Sequence, residues 1–198
     1  MAFGIQHSAF GITEGRWNMA KTTTSVTGKS KAKPACVVGV VMGSDSDLPV
    51  MQRCLEALES FGIGYEVRII SAHRTPQIAH EYATTAAARG LKVLIAAAGM
   101  SAALGGVLAA NTTLPVIGVP MASGPLAGMD AALSTMQMPP GVPVACMAID
   151  KAGATNAGIF AAQILAVADK AVAAKLVEFK KDQARKVVEK DQALRPRD

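Results

Sequence analysis

From Cys36 onward the chain alternates between two kinds of segment, and this alternation leaves few folds open. Five short runs, CVVGVVM (36–42), YEVRII (65–70), KVLIAAA (92–98), PVIGV (115–119) and PVACMA (143–148), are nearly all apolar and largely β-branched or small. Strands covered on both faces of a parallel sheet have this continuous apolar character. Between them lie helical patterns at roughly 48–61, 76–89, 101–111 and 126–136, with a long one from about 154. The first follows Asp47, an N-cap type, and carries Pro49 in its first turn; the second follows Thr75, with Pro76 at its first position. Strand alternating with helix predicts βαβ units with right-handed crossovers. The expected fold class is therefore α/β: a doubly wound parallel five-stranded sheet between two layers of helices. The connections are short, so 36–168 reads as a single domain. An extension, 1–35, precedes it, and a charged helix and tail, 169–198, follows.

The residues Val93–Met129 include no charge at all. Gly99, Gly105, Gly106, Pro115, Gly118, Pro120, Gly124 and Pro125 interrupt every window long enough to span a bilayer, so the stretch does not read as a membrane helix. It belongs inside protein, including between subunits. The chain as a whole is 51% apolar and 18% charged, against about 25% charged in an ordinary domain. Disorder is excluded for its bulk. The net charge of +5 lies at the ends: residues 1–35 carry +4 and 169–198 carry +3, while 36–168 carry −2. A nucleic-acid binder would put a basic stripe on its folded face, and none is legible here. Cys36, Cys54 and Cys146 are odd in number, widely spaced and without a CxxC pair, which argues against a disulfide framework or a zinc site. They fit a reducing cytosol, and the expected location is cytoplasmic. The first 33 residues lack the apolar core of a secretory signal and read as a flexible extension, with Met19 as a second candidate start.

In a doubly wound sheet, ligands bind outside the carboxyl ends of the strands. Four segments fall there. They are Gly43-Ser44-Asp45-Ser46-Asp47, Ser71-Ala72-His73-Arg74-Thr75-Pro76, Gly99 to Gly106, and Pro120-Met121-Ala122-Ser123-Gly124-Pro125. Small hydroxyl residues and glycines at helix N-termini offer free N–H groups and the positive end of the dipole, a natural phosphate cradle. Arg74 adds a forked cation to the same edge. A small phosphorylated ligand is the physical expectation. Neither GxxxxGK[ST] nor GxGxxG occurs, so an ATP-type P-loop or a dinucleotide fingerprint is not expected. Each piece also has a bland reading. GSDSD could be only a capped turn, His73 only a solvated loop residue, and His80 falls on a helix at a structural or exposed position. The position of His73 beside Arg74 at a strand's carboxyl end lifts it above that reading.

Val40-Val41-Met42-Gly43-Ser44-Asp45-Ser46-Asp47, then Ser71-Ala72-His73-Arg74-Thr75-Pro76, then Met136 to Val144 follow one family in order and spacing. They resemble the catalytic protein of the carboxylation step in purine biosynthesis: N5-carboxyaminoimidazole ribonucleotide mutases and the related aminoimidazole ribonucleotide carboxylases. The likeness runs from about Cys36 to Leu176. It implies a flavodoxin-like sheet in a homo-octamer, whose C-terminal helix reaches neighbouring subunits. It implies that Ser44, Ser46 and Asp47 hold the ribose and phosphate of a small nucleotide. Ser71 and Arg74 would complete the phosphate side, and His73 would be the general acid and base. The loop containing Gly99, Met100, Ser101 and Leu104 would close around the carboxylate or CO2. Neither a metal nor an organic cofactor is implied. For the mutase, an ATP-dependent synthetase would be the functional partner.

One segment departs from the family pattern. The mutase branch carries GGAAHLPG in the third loop, whereas this chain has Ala103 at the His position and Gly105 at the Pro position. Ser101, Leu104, Gly105 and Asn111-Thr112 look like the branch that takes free CO2, while Arg74, Met136–Val144 and Asp150–Ala154 look mutase-like. The mutase is the leading reading and the carboxylase the alternative. A non-catalytic flavin or nucleotide module and a decayed scaffold stand further back. The first lacks an aromatic residue in the binding loops, and the second conflicts with His73 and Arg74.

Overall fold

The computed structural model describes residues 35–195. All but the last residue of the extension assigned to 1–35, including Met19, lies outside the described residues. Five strands, β1 (Cys36–Met42), β2 (Gly64–Ile69), β3 (Val93–Gly99), β4 (Val116–Met121) and β5 (Ala145–Cys146), form one parallel sheet in the order β2-β1-β3-β4-β5. This is the flavodoxin-like order, with its switch point between β1 and β3. The helices are α1 (Leu48–Ser60), α2 (Pro76–Ala86), α3 (Leu104–Ala110), α4 (Met129–Met136), α5 (Asp150–Ala166) and α6 (Lys170–Leu194). The expected fold class and strand count hold.

Two apolar clusters sandwich the sheet. On one face Met51, Cys54, Leu55 and Leu58 of α1 meet Ala154, Ala157, Ala161 and Ala162 of α5 over Val38, Val40, Val93, Ile95 and Ile117. On the other, Ala79, Tyr82, Ala83 and Ala86 of α2 and Leu104 and Leu108 of α3 cover Val41, Leu94, Ala96 and Val116. The small residues explain how α1 and α5 approach so closely. A Cβ on Gly158 would lie 2.7 Å from the Cys54 carbonyl oxygen and 2.8 Å from the Ala57 Cβ. The Ala- and Gly-rich composition thus replaces aromatic bulk with close helix packing. Val93–Met129 supplies β3, α3 and β4, and β4 is buried along its whole length. This stretch also brings Met100, Leu126 and Met129 to the surface, where Leu133 and Met136 follow.

Several boundaries differ from the sequence expectation, each for a local reason. β2 is an edge strand, so Val67 and Ile69 are exposed rather than covered on both faces. Only Ala145–Cys146 of the run 143–148 pairs with β4. α3 starts at Leu104 rather than 101 because Ala102, at φ 39°, is not helical. α4 starts at Met129 rather than 126, since Ala127 is also left-handed at φ 50°. The long C-terminal pattern is two helices. The Asp169 side chain accepts from the Ala171 and Val172 N–H groups at 2.9 and 3.2 Å and so starts α6 anew. Lys175 Nζ then donates to the Phe61 carbonyl at 2.6 Å, and Phe179 packs edge-on against Phe61. Further along, α6 is exposed and laced by i,i+3 and i,i+4 ion pairs such as Arg185–Glu189 at 2.8 Å.

Candidate active site

At the carboxyl ends of β1, β2 and β3 lies a cavity of about 500 Å³, open to solvent at its mouth. All the residues singled out from the sequence line it: Ser44, Ser46 and Asp47, then Ser71, His73 and Arg74, then Gly99, Met100, Ser101 and Leu104. The cavity straddles the switch point, where the loops after β1 and β3 diverge to opposite faces of the sheet.

The first loop is a 3-10 turn (Asp45–Asp47) that runs directly into α1. Gly43 N–H donates to the Ala97 carbonyl at 3.0 Å, which prolongs the sheet's hydrogen bonding into the loop. The cap here is Ser44, extended at φ −150°, whose Oγ accepts from Ser46 N–H at 3.3 Å and from Ser46 Oγ at 2.9 Å. Asp47 precedes α1 as expected but caps nothing with its side chain. It is buried, and burial pushes its carboxyl above the usual range. The Ser44 N–H and the Ser46 hydroxyl pull it back, while Asp45 and Asp150 push it further up.

The second loop is clamped at its base. Thr75 Oγ1 accepts from Ser71 N–H at 3.0 Å and donates to the Ser71 carbonyl at 2.9 Å, and Thr75 N–H donates to that same carbonyl at 2.8 Å. Thr75 therefore closes the turn rather than capping α2 with its side chain. The closed turn leaves His73 and Arg74 exposed at its tip. Arg74 is then steered by its own bonds. Its N–H and Nε donate to Ser71 Oγ at 3.2 and 3.4 Å, and Nη2 donates to the Gly43 carbonyl at 3.1 Å. The guanidinium thus ties the second loop to the first. His80 lies on α2, exposed, with Nδ1 2.7 Å from Asn111 Oδ1, away from the cavity.

The third loop is of another kind. Met100 and Ala102 are left-handed at φ 56° and 39° without being glycines, an arrangement that costs on the order of 1–3 kcal/mol per residue. Ala102 N–H donates to the Gly99 carbonyl at 3.1 Å, and Ser134 Oγ of α4 donates to the Ser101 carbonyl at 2.5 Å. Leu104 lines the cavity floor with its side chain buried in the core. Ala103, at the family's His position, also lines the cavity. Ser123, from the loop after β4, completes the wall. The sequence reading placed its segment at the strand ends but gave Ser123 no role. Among the described residues, no group of three or more His, Cys, Asp or Glu side chains is gathered as a metal ion would need. No described helix is long and apolar enough to cross a membrane.

Fold and cavity together define a doubly wound α/β protein with a polar, cation-bearing cleft where such folds bind ligands. The chain belongs to the AIR carboxylase family, whose model matches residues 37–186. It is 53% identical over 157 residues to the N5-carboxyaminoimidazole ribonucleotide mutase of Thermotoga maritima, covering 79% of this chain and 91% of that protein. It is 51% identical over 158 residues to that of Bacillus subtilis, covering 80% and 98%. Among solved structures, Treponema denticola PurE superposes with a TM-score of 0.73 at 31% identity, over 81% of this chain and 99% of that one.

Proposed function

We propose that this protein is the isomerase that converts N5-carboxyaminoimidazole ribonucleotide to 4-carboxyaminoimidazole ribonucleotide in purine biosynthesis. The observation that carries the reading is the convergence of the two motif loops and the third loop on one cavity, in a chain about half identical to proteins of that name. The two serine hydroxyls, Asp47, Ser71 and Arg74 hold the ribose and phosphate, with Arg74 as the charge-assisted partner of the phosphate. His73 gives a proton to the exocyclic nitrogen as its bond to the carboxyl carbon breaks and CO2 forms. Ring carbon C4 then attacks that CO2, and His73 takes back the proton C4 loses, so the step leaves no net proton change. An imidazole ring can both give and accept a proton, which suits it to both jobs. The apolar third loop keeps water scarce while CO2 is free.

Residues 36–168 form the catalytic domain, and the helix from Lys170 is the arm that meets neighbours in a cytoplasmic homo-octamer. The exposed apolar side chains of Met100, Leu126, Met129, Leu133 and Met136 fit such a covered face. An ATP-dependent synthetase supplies the substrate. Ala103 favours a second reading, direct carboxylation of aminoimidazole ribonucleotide by CO2. Each substrate is to be fed separately, with bicarbonate excluded from the first reaction. We expect 4-carboxy product from N5-carboxyaminoimidazole ribonucleotide alone; product only from aminoimidazole ribonucleotide plus CO2 would overturn the mutase in favour of the carboxylase.

A further inference from the structure

At the end of β3, Gly99 pairs with Met121 at the end of β4. Two residues on, Ser123 N–H donates to the Met121 carbonyl at 2.8 Å, a turn tight enough to fold the chain back over β3. The Ser123 side chain consequently lies on Gly99. A Cβ built there would be 1.6 Å from Ser123 Oγ and 3.0 Å from its Cβ. Gly99 is thus required by space, and the hydroxyl fills that space at the cavity wall. Among the described residues Ser123 Oγ has no hydrogen-bond partner, although the side chain is half-buried.

The chemistry of this wall gives the hydroxyl a task. The side chains of Met100, Ala102, Ala103 and Leu104 contain no donor. The hydroxyls at this wall are those of Ser101 and Ser123, and it is the Ser123 hydroxyl that stands on Gly99, where the third loop leaves β3. A carboxylate brought against such a surface loses water and needs a donor in exchange. We propose that Ser123 holds the transferred carboxyl group: its Oγ–H donates to a carboxylate oxygen of the substrate and keeps the same oxygen oriented while CO2 is free. No covalent bond of Ser123 is made or broken. This rests on the mutase reading above and adds to it the residue that retains the carboxyl group.

The test uses the full-length protein with N5-carboxyaminoimidazole ribonucleotide labelled at its carboxyl carbon, following the share of label kept in the 4-carboxy product against that released to the medium. For Ser123→Ala we expect kcat to fall about tenfold, the loss of one hydrogen bond to a charged group. The released share should rise several-fold, while KM stays within about threefold because the phosphate side is intact. Gly99→Ala, which displaces the same hydroxyl without removing it, should reproduce the leak. Should that variant fail to fold, Ser123→Ala, which removes one atom, decides alone. Unchanged kcat and label retention would overturn the inference, as would a rise in KM alone. If wild-type protein makes product only from aminoimidazole ribonucleotide and CO2, the mutase reading falls. Ser123 is then judged by the KM for CO2, which must rise in Ser123→Ala.

Discussion

The two sides of the cavity are built on opposite principles. Loops 43–47 and 71–76 are polar, and their serines, threonine and arginine are tied to one another and to the strand ends by short-range hydrogen bonds. Loop 99–104 is almost devoid of donors, carries no charge and holds two non-glycine residues in left-handed conformations. The first side offers a charged, hydroxyl-rich ligand a cation and several hydroxyls already held close together. The second can surround a small neutral molecule and exclude water, because it has little that water could bond. A reaction that must anchor a nucleotide while confining CO2 needs both, and neither side could substitute for the other.

The sharpest way to break this contrast is to remove His73, the proposed proton shuttle, from the polar side. His73→Asn should reduce turnover by about 10²-fold or more, the usual contribution of a general acid–base, with circular dichroism and assembly unchanged. Near wild-type turnover would end that assignment. Arg74→Ala should act on binding instead. We expect KM for the nucleotide to rise on the order of tenfold or more, from loss of a charge-assisted bond and of the brace to Gly43, with a smaller change in kcat. An unchanged KM in steady-state kinetics would remove the phosphate from this side of the cavity.

What was legible in the sequence divides along the same line. The polar side could be read because its chemistry is local: hydroxyls, carboxylates, His73 and Arg74 lie within two short motifs immediately after two β-branched runs. The other side depends on contacts distant in sequence. Nothing around Ser123 reveals that it will sit on Gly99, since that follows from the β3–β4 register. Nor does Ala102 announce a positive φ, because no glycine or asparagine marks it. The fold was readable where burial decides, in β1, β3 and β4. It was misread where an edge or a cap decides: β2 has an uncovered face, β5 is cut to two residues, and Asp169 interrupts what the apolar pattern alone would continue as one helix.

The smallest expected effect concerns Asp47, where the polar side works against stability. Its carboxyl is held above the ordinary value chiefly by burial, so between the ordinary and the raised value the folded chain binds more protons than the unfolded one. Stability therefore falls as pH rises through that interval, and at neutral pH the whole penalty is present. Asp47→Asn keeps the shape and removes the charge. It should raise stability at pH 7 by on the order of 1 kcal/mol for each pK unit by which the carboxyl is raised, and this advantage should shrink as pH drops through that interval and be gone below the usual carboxylate range. Nucleotide binding should weaken in the same variant. Thermal unfolding of both proteins at pH 7 and near pH 4 gives the comparison; parallel pH dependences would show that the buried carboxyl carries no penalty. A variant that is more stable yet binds less well would mean that the native chain keeps a destabilising charge in its ligand-gripping loop. The apolar side pays a comparable penalty in backbone strain, through Met100 and Ala102, so the two sides differ in chemistry while both are held away from their most stable form.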